Sequence, residues 1–181
     1  MVERTLNRYA LSADSLGVEM TLDLDQASAA QAAPSAPPPY RSAAVLAALS
    51  IPGAKPTILL VEDEAGLRGL FRTILERTGH RVLEARSGLE AIRLWQENGE
   101  EVVLSLIDVR IPGGMSGVEF GQYLLTQKPR LPLVYVSGYT FEFAQKDWGL
   151  PSNAVFLQKP FRPDRLANVV RDSLTNALAA A

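Results

Sequence analysis

The chain of 181 residues contains no cysteine and only one histidine, His80. Without thiols it can form no disulfide, thiolate zinc site or iron–sulfur cluster, and it offers no cysteine nucleophile. A single imidazole cannot build a polyhistidine metal site. Any metal bound by this chain is therefore expected to take oxygen ligands.

The sequence also lacks a charge excess and a long apolar run. Eighteen Lys and Arg residues oppose twenty Asp and Glu residues, a net charge of −2, so nothing favours direct binding to nucleic acid. The longest apolar run, residues 43–51, ends at Pro52 and has less than half of the ~20 residues of a membrane-spanning helix. No signal-peptide pattern follows Met1. We therefore expect a cytoplasmic protein that contacts neither nucleic acid nor membrane.

Composition divides the chain near residue 56. Residues 26–39 consist almost entirely of Ala, Pro, Ser and Gln, which is typical of a linker. Residues 15–25 alternate apolar with polar or small side chains, as in a half-buried strand, and residues 43–50 favour a short helix that lies on the body of the protein. The sequence thus predicts a mostly irregular N-terminal extension over residues 1–55 and one domain over residues 56–181.

From Thr57 onward, short apolar runs alternate with helical patterns five times. The first, third and fourth runs are continuously apolar, which is typical of strands covered on both faces. Ser87, with Glu90 three residues later, predicts a capping box at the start of the second helix. The repeat predicts the α/β class: a (βα)5 doubly wound parallel sheet with the flavodoxin-like strand order 2-1-3-4-5. The predicted strands are residues 58–61, 81–84, 102–107, 133–136 and 154–157.

Polar side chains follow the predicted strands. Glu62 and Asp63 come after the first strand, Asp108 after the third, Ser137 after the fourth and Lys159 after the fifth. Ligands of such sheets bind beyond the carboxyl ends of the strands, so the three acids are expected to converge. Any one of them is explained equally well as a helix cap, but together they would repel one another unless a cation is present. The constellation therefore predicts a Mg²⁺ site.

Four motifs resemble those of the receiver domain of two-component response regulators, the CheY-like family. They are ILLVEDE at residues 58–64, LIDVRIP at 106–112, VSGY at 136–139 and LQKPF at 157–161. The resemblance covers residues 56 to about 178. In form, the last two motifs are closest to those of receivers in hybrid histidine kinases.

The resemblance implies that Asp108 accepts a phosphoryl group from the phosphohistidine of a histidine kinase or of a histidine phosphotransfer protein. Mg²⁺ would be held by Glu62, Asp63 and Asp108, with the backbone carbonyl of Arg110 completing the site. Glu62 replaces the more usual Asp, which lengthens one ligand arm and favours a contact through water. Arg110 would also tune hydrolysis of the phosphoryl group, as would the loop at residues 113–117, which is one residue longer than in chemotaxis-type receivers.

The resemblance assigns further roles to three residues. Lys159, with a cis bond to Pro160, would place a positive charge on a phosphoryl oxygen. Ser137 would donate a hydrogen bond to the phosphoryl group and move toward it as a switch. Phe156 would be the switch aromatic, rotating inward behind Ser137, although it lacks the hydroxyl of the usual Tyr.

The expected readout face comprises the fourth helix, the fifth strand and the fifth helix, which could also form a homodimer. One helix cannot point all of Phe141, Phe143 and Trp148 inward, so at least one is expected to mark a partner surface.

The chain is expected not to be an enzyme, but a phosphoacceptor that assists its own phosphorylation and dephosphorylation. A haloacid-dehalogenase-type phosphatase would need an acid where Arg110 stands, and no P-loop motif occurs. His80 lies in a predicted turn, so we do not expect a phosphohistidine.

Three hypotheses stay open: a single-domain regulator with no DNA-binding output after Ala181, the C-terminal receiver of a hybrid histidine kinase, and a degenerate receiver that serves only as a dimerisation module. The intact acids argue against the third.

Overall fold

The computed structural model describes residues 55–179, and the strand and short helix expected before residue 51 lie outside this range. Among the described helices, none is both long and apolar enough to span a membrane. The elements, in chain order, are β1 (Thr57–Val61), α1 (Ala65–Arg77), β2 (Arg81–Ala85), α2 (Gly88–Asn98), β3 (Val102–Asp108), α3 (Gly117–Gln127), β4 (Leu133–Ser137), α4 (Phe141–Trp148), β5 (Val155–Gln158) and α5 (Pro163–Ala179).

The five strands form one parallel sheet in the order β2-β1-β3-β4-β5, which confirms the predicted topology. The central strands β1 and β3 are buried along their whole length, as their continuous apolar runs predicted, whereas β2 and β5 lie at the edges and are partly exposed. Val61 pairs with Ile107, and Asp108 pairs with Val136. This register brings the carboxyl ends of β1, β3 and β4 to one edge of the sheet.

Helices cover both faces of the sheet. On one face, apolar side chains of α1 and α5 pack into the core with alternate residues of the central strands, including Phe71, Leu75 and Leu166. On the other face, α3 lies so close that Gly121 faces the ring of Tyr135 on β4. Because successive side chains of a buried strand point to opposite faces, each strand contributes apolar side chains to the packing on both sides of the sheet.

The capping box predicted at Ser87 is only half formed. Its hydroxyl accepts a hydrogen bond from the Glu90 amide, but the Glu90 carboxylate accepts one from the amide of Arg86 instead of Ser87. A complete box, which the sequence analysis did not identify, caps α3 through Ser116 and Glu119. The φ angle is −157° at Ser87 and −74° at Ser116, so the two cap amides point in different directions.

Candidate functional site

Three carboxylates meet at the carboxyl edge of the sheet. Glu62 and Asp63 follow β1 and Asp108 ends β3, and one carboxylate oxygen of each lies within 4.8 Å of the others. Glu62 is 1% exposed, the Asp108 side chain is 10% exposed, and Asp63 faces solvent. Within residues 55–179 this is the one group of three or more such side chains close enough to hold a metal ion.

The positive charge of Lys159 compensates the negative charges of the two buried acids, Glu62 and Asp108. Its ammonium nitrogen lies 2.7 Å from Glu62 Oε2 and 2.6 Å from Asp108 Oδ2. The residue is positioned because its amide donates a 2.7 Å hydrogen bond to the carbonyl of Ser137, directly after the β4–β5 pairing ends. The Lys159–Pro160 peptide bond is cis, as the resemblance implies.

Burial and neighbouring charged groups together shift the pKa values of Glu62 and Lys159. Burial raises the pKa of the Glu62 carboxyl to about 6, while the hydrogen bond from Lys159 opposes this rise and the charge of Asp108 adds to it. For Lys159, burial alone would lower the pKa, but its bonds to Asp108 and Glu62 outweigh burial and raise it. The ammonium group therefore stays charged at neutral pH. The Glu62 carboxyl loses its proton at a higher pH than an exposed glutamate does.

Both oxygens of Asp108 are held in place. Oδ1 accepts a 2.8 Å hydrogen bond from the amide of Arg110, and Oδ2 contacts Lys159. Behind the residue, a Cβ atom at Gly117 would lie only 1.9 Å from the Asp108 carbonyl oxygen, so the start of α3 needs glycine at this position. The Asp108 side chain is thus oriented by the loop that follows β3 and by Lys159, which follows β5.

The β4 end completes the opposite wall of the site. Ser137 is buried, and its hydroxyl oxygen accepts a 3.1 Å hydrogen bond from the amide of Tyr139. The Arg110 guanidinium donates to the Tyr139 hydroxyl at 3.1 Å and lies 5.9 Å from the centre of its ring. Arg110 and Tyr139 therefore form a bridge across this side of the pocket, a pairing that the sequence analysis did not predict.

The cavity bounded by these groups has a volume of about 560 Å³ and includes Glu62, Asp63, Asp108, Ser137 and Lys159 in its lining. Adjacent ligands of an octahedral Mg²⁺ lie ~2.9 Å apart and opposite ligands ~4.2 Å apart, so three carboxylate oxygens within 4.8 Å of one another are close enough to converge on one ion. An all-oxygen donor set is the chemistry that this ion prefers. The residues present therefore fit Mg²⁺.

Most of the expected site residues come together here, and one does not. Glu62, Asp63, Asp108, Arg110, Ser137 and Lys159 all line the cavity. Phe156 lies apart from it on the edge strand β5, half-buried, with its ring edge-on to Phe141 at 5.4 Å.

Arg68 is a residue that the sequence analysis missed. Its guanidinium donates to the carbonyl oxygens of Glu62 at 2.8 Å and Asp63 at 3.0 Å, and it lies 3.7 Å from Glu84. It therefore anchors the acidic loop after β1. No sequence signal distinguishes it from other surface arginines of an amphipathic helix.

The family model of the response regulator receiver domain matches residues 58–171. The chain belongs to this family, whose members take part in two-component signalling. Receiver domains act as phosphoacceptors rather than conventional enzymes, bind Mg²⁺ in an acidic pocket and work with histidine kinases or phosphotransfer proteins.

The relatives differ greatly in length. The response regulator receiver protein CpdR of Brucella abortus is 30% identical over 120 residues, 66% of this chain and 98% of that protein. The sensor kinase CckA of the same organism is 35% identical over 118 residues, 65% of this chain, but the match spans only 12% of the kinase. A response regulator receiver protein from Sinorhizobium medicae has a crystal structure that matches with a TM-score of 0.61 and 28% identity, covering 68% of this chain and 97% of that one.

Proposed function

We propose that this protein is the phosphoacceptor of a two-component or phosphorelay system and that Asp108 carries the phosphoryl group. The observation that supports this proposal is the setting of Asp108: a carboxylate at the end of a central strand, 2.6 Å from the ammonium of Lys159 and within 4.8 Å of two further carboxylates. A nucleophile in this position faces a cavity of about 560 Å³, which leaves room for a phosphoryl group.

In the proposed reaction, a carboxylate oxygen of Asp108 attacks the phosphorus of a phosphohistidine. The new P–O bond gives an acyl phosphate, the P–N bond breaks, and the partner's imidazole leaves with the electron pair. Lys159 compensates the negative charge of the phosphoryl oxygens. The Arg110 amide, which holds Asp108 Oδ1 at 2.8 Å, keeps the carboxylate oriented.

The proposed metal ligands are Glu62, Asp63, Asp108 and the backbone carbonyl of Arg110. Mg²⁺, when bound, supplies charge neutralisation for the transferring phosphoryl group. Asp63 is the exposed member of the set, so its carboxylate is hydrated and would exchange water for the ion. Glu62, which contacts Lys159 at 2.7 Å, would hold the ion directly or through water.

Ser137 and Phe156 are the proposed switch. Ser137 would turn its hydroxyl toward the phosphoryl group, which requires its bond with the Tyr139 amide to change. Phe156 would leave its edge-on contact with Phe141 and rotate inward. The readout surface would be the face of α4, β5 and α5, where Phe143 and Val155 are each 41% exposed and could bind a partner or a second copy.

Incubation with acetyl phosphate and Mg²⁺ tests the proposal. Intact-mass analysis should show a gain of one phosphoryl group in the parent and none in Asp108→Asn. Asp147→Asn, a change at an exposed acid of α4, is the matched control and should be modified like the parent. A parent that gains no phosphoryl group while remaining folded would favour the degenerate, dimerisation-only receiver instead.

The similarity to CckA favours a second candidate, in which this chain is the receiver portion of a hybrid histidine kinase. Against it stands the match to 98% of CpdR, which supports a single-domain regulator. A kinase domain encoded in frame upstream of residue 1 would establish the hybrid arrangement.

A further inference from the structure

A second cavity, about 460 Å³ in volume, lies between the end of α1 and the C-terminal half of α5. Three apolar residues of α5 line it, namely Ala167, Leu174 and Leu178. Thr78 and His80, in the turn that follows α1, form the facing wall. The result is a groove with an apolar side, which we call the α1–α5 groove.

The α1–α5 groove is separate from the acidic pocket. His80 directly precedes Arg81, the first residue of β2, whereas the acids follow the last residues of β1 and β3. The groove therefore lies at the amino ends of the parallel strands and the pocket at their carboxyl ends. An occupant of the groove would leave Asp108 accessible.

The chain that leads into the domain emerges beside this groove. The carbonyl of Pro56 accepts a 2.9 Å hydrogen bond from the amide of Arg81, the neighbour of His80. Four residues lie between Ile51 and Pro56, so the Cα atoms of these two residues are five steps along the chain and at most about 17 Å apart. Residues 43–51 are therefore tethered within reach of the groove.

The composition of residues 43–51 matches the groove. The segment, AAVLAALSI, carries no charge, and at helical spacing Val45, Leu46 and Leu49 share one face. Removing apolar side chains of this size from water is favourable in free energy. A tether of a few residues also gives an effective concentration of about millimolar, which favours the molecule's own segment over a second copy.

We propose that residues 43–51 bind in the α1–α5 groove of the same molecule, with their apolar face against α5. In this arrangement the end of the N-terminal extension becomes part of the receiver's surface.

Disulfide trapping in the full chain tests the proposal, because the natural sequence has no cysteine. Leu49→Cys is combined with Thr175→Cys, an exposed α5 position in the groove lining, and oxidised with oxidised glutathione. The matched control combines Leu49→Cys with Glu97→Cys, an exposed position on α2. Cysteines join only when their Cα atoms come within ~7 Å. We expect an intramolecular disulfide in the first pair, found by peptide mapping, and none in the second.

Adding Ala167→Phe to the first pair fills the groove and should abolish the cross-link, while a cooperative urea unfolding transition confirms that the variant is folded. The proposal is overturned by any of three results: no disulfide in the Leu49→Cys, Thr175→Cys pair, equal disulfide formation in the control pair, or cross-linking only between two molecules.

Discussion

The ammonium group of Lys159 contacts two acids that are almost completely buried. It is itself largely covered, with a side chain 17% exposed, so solvent weakens these contacts less than it would at the surface. Removing one partner of a buried ion pair leaves the other charge without compensation, which costs more free energy than the intact pair contributes. Here the loss would leave both Glu62 and Asp108 without their counter-ion.

We predict that Lys159→Met lowers the free energy of unfolding by about 2 to 4 kcal/mol at neutral pH without metal. Added Mg²⁺ should stabilise the variant more than the parent, because the ion replaces the missing positive charge. Urea unfolding with and without Mg²⁺ measures both effects. Lys146→Met, at an exposed position of α4, is the control and should change stability by less than ~0.5 kcal/mol. Equal behaviour of the two variants would contradict the prediction.

The raised pKa of Glu62 would make the proposed Mg²⁺ binding depend on pH. Because this pKa rises from 4.5 to about 6 in the folded protein, the folded state retains a proton between these values that the unfolded chain has released. The contribution of Glu62 to the free energy of unfolding therefore decreases as the pH increases from 4.5 to about 6. The proposed Mg²⁺ binding should have the opposite pH dependence, because the metal needs the ionised carboxylate.

We predict that Mg²⁺ affinity, measured by calorimetry, is nearly constant above about pH 7 and falls below about pH 6, approaching tenfold per pH unit from this group. Glu62→Gln should bind Mg²⁺ more weakly at neutral pH and should lack the inflection near pH 6. Glu97→Gln, on the surface of α2, should keep it. An inflection that persists unchanged in Glu62→Gln would show that another group controls binding.

At the scale of elements, the approach of α3 to the sheet depends on glycine. A Cβ atom at Gly121 would lie 2.0 Å from the hydroxyl oxygen of Tyr135, and that residue is buried on β4. Gly69 in α1, by contrast, has nothing within 4 Å of the corresponding position. The same substitution in two helices should therefore have opposite effects.

We predict that Gly121→Ala lowers the free energy of unfolding by about 1 to 3 kcal/mol through overpacking. Gly69→Ala should instead raise it by up to about 1 kcal/mol, since alanine favours the helix. Tyr135→Phe removes the nearest atom, so the cost of Gly121→Ala should be smaller in that background. Denaturant titration of the four variants tests this, and an equal cost with and without the hydroxyl would rule out the proposed contact.

The elements also show where sequence reasoning succeeds and where it stops. Continuous apolar runs separated by helical stripes leave few topologies, because parallel crossovers are right-handed and strand ends share one edge. This constraint is enough to bring Glu62, Asp63 and Asp108 together. It does not set the φ angle of a cap, so the capping box was expected at Ser87, whereas the complete one forms at Ser116.

Residues that act through tertiary packing were not predictable in the same way. Arg68 reaches the backbone of the acidic loop only because α1 crosses β2 beside Glu84. The Arg110–Tyr139 bridge joins side chains 29 positions apart in the chain. No sequence spacing indicates the contacts that Arg68 makes or the pairing of Arg110 with Tyr139. Tyr139 was noticed only as part of the motif after β4.

At the scale of the whole molecule, Tyr139 joins the acidic pocket to the surface of α4. Its amide donates to Ser137, and its ring stacks on Phe143 at 4.9 Å and meets Trp148 edge-on at 5.3 Å. If Ser137 turns toward a phosphoryl group, the Tyr139 amide loses its acceptor or moves with it. We expect either response to shift the Tyr139 ring, which contacts Trp148.

Phosphorylation should therefore change the fluorescence of Trp148. The chain has two tryptophans, and the other, Trp95, is 7% exposed on α2, away from this cluster. Emission recorded after addition of acetyl phosphate and Mg²⁺ should shift in the parent and in Trp95→Phe, but not in Trp148→Phe or Asp108→Asn. Tyr139→Ala should accept the phosphoryl group yet lose most of the shift, because the ring that transmits the change is gone. A shift retained in Trp148→Phe would mean that the response travels through another part of the fold.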